Sequence, residues 1–73
     1  MTASERIREA RANAARDYID GIRNPLKRDY AASFYQYLLN GGEEPPRPEG
    51  LSYMAAQAVR LELLNRFRAM LGI

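Results

Sequence analysis

The residue types that usually carry catalysis are sparse in this chain. It has no His and no Cys, which removes disulfides and nearly all zinc chemistry. Its serines are Ser4, Ser33 and Ser52. Ser4 and Ser52 stand where helix N-caps belong, and Ser33 falls in mid-helix with no base at helical spacing. The carboxylate pairs Asp17/Asp20 and Glu43/Glu44 read as surface charge. Gly41-Gly42 runs into Glu43-Glu44-Pro45-Pro46, which would repel a phosphate rather than cradle it. No calcium-loop spacing occurs. The expectation is a protein that is not an enzyme, with no cofactor, no metal and no small-molecule substrate.

What remains is charge and apolar surface. Ten of the eleven basic residues are Arg, and the formal net charge is +2. Arg suits bidentate contacts with carboxylate or phosphate, but an Arg excess beside many Ala, Gly and Pro also reflects GC-rich coding. Residues 1–28 hold seven basic against four acidic side chains, and residues 52–73 hold three against one. The diluted surplus makes a DNA- or RNA-binding regulator the alternative function. Its contacts would be Arg6, Arg16 and Arg23 on the first helix, Lys27 and Arg28 at the start of the second, and Arg66 and Arg68 on the third. Glu9, Asp17 and Asp20 interrupt that footprint.

Three helices must position these groups. The 73 residues allow one domain with a thin core, so oligomerisation or docking is the usual added support. Hydrophobic residues make up 47% and charged residues 27% of the chain, an ordinary globular balance. The first helix is predicted over about 3–22, opened by Thr2 and Glu5 at capping-box spacing, with Ser4 a competing cap. Ala3, Ile7, Ala10, Ala14, Tyr18 and Ile22 define its predicted core face, widened by Ala15 and Ile19. Arg11 falls inside this arc, its stem covering core while its head reaches solvent or a carboxylate.

The second helix is predicted over about 25–40 and at the centre of the fold. Asn24 caps it and Pro25 takes the first helical position. It carries Tyr30, Phe34, Tyr35 and Tyr37, four of the seven aromatic residues. Its apolar arc, which also takes in Leu26, Ala31, Ala32, Leu38 and Leu39, is too wide for one neighbour to cover. Only Asp29, Ser33, Gln36 and Asn40 form a clean polar strip. Burial on that scale argues against a groove-reading helix, although Gly21–Asn24 is the only turn short enough for a helix-turn-helix. At the same corner, Asp17 and Asp20 oppose one helix dipole while Lys27 and Arg28 oppose the next. Pairing between the two sets is therefore expected.

Gly41 is expected to close the second helix in the left-handed conformation. A connector over 41–51 follows, long, acidic and Pro-rich. Pro45 to Pro48 formally spell a PxxP ligand, though a stiff connector accounts for them. Extended, it reaches about 36 Å, enough to return along the whole second helix, so the third can run either way. The third helix is predicted over about 52–71, capped by Ser52 and stopped by Gly72. Leu51 is placed to staple toward Ala56, and Ile73 to fold back on Phe67. Ala55, Ala56, Val59, Leu63, Phe67 and Met70 form its main face, with Tyr53, Leu64, Leu71 and Arg60 on the flank. Met54, Ala58 and Leu61 fall on the opposite side.

The expected fold is all-α, a small three-helix bundle or open helical array with no sheet. Residues 1–8 contain no apolar run of a signal peptide, and no segment reaches a membrane span, so a cytoplasmic location is expected. The first helix offers mainly Ala, too small for a membrane-binding face. The expected function is a non-catalytic interaction module. It would self-associate as a homo-oligomer or dock as an accessory or regulatory subunit on a larger protein, through Met54, Ala58 and Leu61.

Overall fold

A computed structural model describes residues 2–72. It comprises α1 (Ala3–Asp20), α2 (Pro25–Asn40) and α3 (Tyr53–Leu71), with no strand among the described residues. The expected contact of Ile73 with Phe67 lies outside them.

Each helix starts on a local cap. Thr2 Oγ1 accepts from the Glu5 N–H, and Glu5 Oε2 accepts from the Thr2 N–H at 3.1 Å, a complete capping box. Asn24 Oδ1 accepts from the backbone N–H groups of Leu26 and Lys27. Ser52 Oγ accepts from the Ala55 N–H. α1 stops at Asp20, two residues earlier than expected, because the Ile22 N–H closes a tighter bond to the Ile19 carbonyl. Gly72 ends α3 in the left-handed conformation. Gly41 has a positive φ of 79° but an extended ψ of −157°, so it is not the left-handed cap expected at the end of α2.

Phe34, Phe67, Leu63, Ala31, Ala15 and Tyr30 form the buried cluster, with Leu51 and Ala56 buried beneath the return of the chain. Tyr18, Ile19, Ile22, Tyr35, Tyr37, Leu38, Val59, Leu64 and Met70 pack around it half-buried. The expected face of α1 is corrected. Ala3, Ile7, Ala10 and Ala14 are exposed, whereas Ala15 is fully buried. Ala14 and Ala15 sit about 100° apart around a helix, so the real packing line runs through residues 4, 8, 11, 15, 18 and 22. On that line Ser4, Arg8 and Arg11 occupy places that close packing would give to apolar side chains.

Helix direction follows from the contacts. A Cβ on Gly50, just before α3, would lie 3.0 Å from Leu26 Cδ1 near the start of α2. Farther along both helices, the rings of Tyr35 and Phe67 stand 5.4 Å apart. α3 therefore runs parallel to α2, and the connector does carry the chain back along it. α1 runs against both: Tyr18 meets Phe67, while Arg11 reaches Gly72.

Candidate functional site

The outer face of α3 carries the predicted partner-binding residues. Met54 is 83% exposed, Leu61 is 57% exposed, and Ala58 lies exposed between them. Their four-then-three spacing puts them on one line, which Asn65 continues. Tyr53 stands beside the start of that line, 67% exposed, with its hydroxyl oxygen accepting from Gln57 Nε2 at 2.9 Å. This is a narrow apolar seam with a polar residue at one position, on the side of α3 away from Leu63 and Phe67.

The basic residues do not gather into one footprint. Arg6, Arg16, Arg23, Lys27, Arg66 and Arg68 are exposed, and Arg28 is half-buried. Arg66 lies over the Tyr18 ring, 5.9 Å from its centroid, an arrangement that favours a cation on the π face. The Tyr18 hydroxyl donates to Glu62 Oε1 at 3.4 Å. Burial holds the Tyr18 phenol above its ordinary pKa, Glu62 adds to the rise, and Arg66 opposes it. Arg23, Lys27 and Glu62 are among the residues that line one hollow of about 360 Å³ beside Tyr18.

The expected corner ion pairs are absent among the described residues. Neither Asp17 nor Asp20 pairs with Lys27 or Arg28. Arg28 Nη1 instead donates to the Ile22 carbonyl at 3.4 Å. That carbonyl lies in the turn itself, nearer to Arg28 in sequence than Asp20 and Asp17, which stand one and four positions before Gly21.

Among the described residues an ion pair joins Arg60 to Glu44, between α3 and the connector. The guanidinium contacts both carboxylate oxygens, and this hydrogen bonding, followed by the charge of Glu44, raises the Arg60 pKa. Tyr30 packs beneath. Burial raises its pKa first, Glu44 adds to the rise, and Arg60 opposes it. Arg47 Nη1 donates to the Leu51 carbonyl at 2.9 Å, fastening the end of the same connector. Arg60 was recognisable in sequence as a charge beside an apolar face. Its partner depends on where an eleven-residue connector folds back, which no helical period encodes.

A second apolar surface escaped the sequence reading. An open groove of about 740 Å³ lies between the first half of α1 and the ends of α2 and α3. Leu38, Leu39 and Leu71 line it, with Ile7, Arg8 and Arg11 on the α1 side. Ile7 is 52% and Leu39 50% exposed. The signal available beforehand was the pair of arginines on the line through Ala15. Arg11 reaches past the groove to the end of α3, where its Nη2 would lie 3.0 Å from a Cβ on Gly72. A cation there suits the negative end of the helix dipole.

Among the described residues, no cluster of three or more acidic, His or Cys side chains is placed to hold a metal ion. No helix among them is long and apolar enough to cross a membrane. No protein-family model, curated protein or solved structure matches the chain.

Proposed function

We propose that this chain is a non-catalytic helical interaction module, working in the cytoplasm as a self-associating unit or as an accessory or regulatory subunit on a larger protein. The observation that carries the reading is the seam Met54–Ala58–Leu61, exposed along the outer face of α3 while the opposite face of the same helix is buried. Large apolar side chains aligned on a helix of so small a domain are the pattern of a helix–helix contact. Asn65 on the same line supplies the polar position that fixes register in such contacts. A thin core gives a second reason: a partner adds burial to a chain whose own core is small.

Nucleic-acid binding has less behind it. Arg28 and Arg66 are engaged within the chain, and Glu62 lines the same hollow as Arg23 and Lys27. Light scattering across a concentration series, with wild type and Leu61→Glu, tests the self-associating form. Recovery of the natural complex from the source cell by either form tests the docking form. Loss of assembly in Leu61→Glu supports the reading. A monomer at high concentration, together with unchanged partner recovery by Leu61→Glu, removes it.

A further inference from the structure

We infer that the groove between the first half of α1 and the ends of α2 and α3 receives a short acidic amphipathic helix of a partner protein. Its apolar side chains would rest on Leu38, Leu39 and Leu71, and its carboxylates would meet Arg8 and Arg11. The surface is separate from the α3 seam, on a different side of the fold, and the inference does not depend on that seam.

Four observations lead here. First, the packing line of α1 changes character along its length. Ala15, Tyr18 and Ile22 close on the core, but Ser4, Arg8 and Arg11 cannot, and the helices stay parted at that end. Second, the floor left open is apolar, with half of Ile7 and half of Leu39 facing water. Third, Arg8 and Arg11 stand one helical turn apart on one wall, and among the described residues no acidic side chain lines the groove. Glu5, three residues before Arg8, is held by its own cap, and Glu9, between the two arginines in sequence, does not line the groove. Side chains three or four apart on a second helix match that spacing. Fourth, the walls are helical, so no free strand edge is offered and an added strand has nothing to pair with. The lining from residue 4 to residue 12 spans about 12 Å, two turns of helix. A helix laid in a groove is the mode that fits.

The charge of the wall also selects against a second copy of this chain. α2 and α3 carry more basic than acidic residues, and α1, which holds the pairs Glu5/Glu9 and Asp17/Asp20, carries four of each sign and so no net negative charge. Phosphate-rich nucleic acid would satisfy the arginines and leave the leucines uncovered.

The test is a selection of displayed random 16-residue peptides on the full chain, followed by titration of recovered peptides with backbone amide NMR. The expected consensus has acidic residues three or four apart beside apolar ones, and it shifts the amides of Ile7, Arg8, Arg11, Leu39 and Leu71. The double variant Arg8→Glu, Arg11→Glu, with its helical content checked by circular dichroism, should bind those peptides at least tenfold more weakly. It should recover binding to versions with Lys in place of the acidic residues. Recovery of no peptide, a consensus without paired acids, equal binding to the double variant, or shifts confined to Met54–Leu61 would each overturn the inference. So would groove shifts that grow with protein concentration alone, which mean a second copy. Groove shifts with decanoate but with no peptide mean a small amphipathic carboxylate, and overturn it equally.

Discussion

Tyr18 on α1 stands edge-on to Phe67 on α3, with ring centroids 5.7 Å apart and planes at 89°. Tyr35 on α2 approaches the same Phe67 at 5.4 Å. One fully buried ring is therefore shared by all three helices; the Tyr18 contact has the edge-to-face geometry that aromatic quadrupoles favour, and the Tyr35 contact is tilted at 46°. A second centre lies in the row Tyr30, Phe34 and Tyr37 along α2, with Phe34 fully buried and edge-on to Tyr30 at 5.9 Å. The core thus has two aromatic centres, one on each parallel helix. α1 reaches only one of them by an aromatic contact.

Phe67→Ala should destabilise by about 3–5 kcal/mol, the usual cost of removing a buried ring and leaving its cavity. A chain of 73 residues has about 4–11 kcal/mol in total, so this loss would take from about a quarter to all of its stability. Leu61→Ala, on the exposed seam, should stay within about 0.5 kcal/mol of wild type. Urea unfolding followed by circular dichroism measures both. Equal losses at the two positions would contradict the packing described.

Gly50 should tolerate Ala less well than Gly42. Both have positive φ, 93° and 92°, which strains any L side chain. At Gly42 nothing lies within 4 Å of an added Cβ, whereas at Gly50 the Leu26 side chain lies at 3.0 Å. Gly42→Ala should cost about 1–2 kcal/mol from backbone strain alone. Gly50→Ala should cost more, and its amide exchange should rise around Leu26 and Leu51. Indistinguishable unfolding midpoints would show that the close approach of the connector to α2 does not persist in solution.

Glu44→Gln should loosen the connector without unfolding the helices. The Arg60–Glu44 pair is about a third exposed on both sides and is screened by salt, so the melting temperature should move little. Hydrogen exchange should quicken at the Leu51 amide, which donates to the Pro48 carbonyl, and stay unchanged in α1. Raising the salt concentration in wild type should reproduce part of that change. Unchanged exchange in both experiments would mean that the pair does not hold the connector.

Stability should fall on the alkaline side. Burial and Glu62 raise the Tyr18 pKa, and burial and Glu44 raise that of Tyr30. An unfolded tyrosine loses its proton at about pH 10. Below that pH both states are protonated and stability is level. Above it the unfolded chain ionises first, and stability declines as pH rises toward the folded values. Tyr18→Phe should flatten part of that decline in urea midpoints measured from pH 9 to 11. A decline of the same slope in the variant would show that Tyr18 does not contribute.

The helices were legible because their ends are local chemistry. Thr2 with Glu5, Asn24 with Pro25, and Ser52 each cap the helix that their sequence announces. The exposed seam was legible too, since period alone sets Met54, Ala58 and Leu61 opposite Leu63 and Phe67. The face of α1 was not. Two neighbouring lines share Tyr18 and Ile22, and Ala carries too little area to choose between them. The direction of α3 and the partner of Arg60 rest on the path of the connector, whose prolines set stiffness but not destination. The corner charges were misassigned because a backbone carbonyl competes with a carboxylate for Arg28, and dipole arguments ignore that competitor.

Native mass spectrometry of the protein, purified under gentle conditions from the cell that makes it, shows whether the chain works alone. Wild type should give a mass above that of the single 8.3 kDa chain, either a homo-oligomer or a complex with a larger protein, reduced to the lone chain by Leu61→Glu. A lone chain for wild type, or an assembly that Leu61→Glu leaves intact, would contradict it.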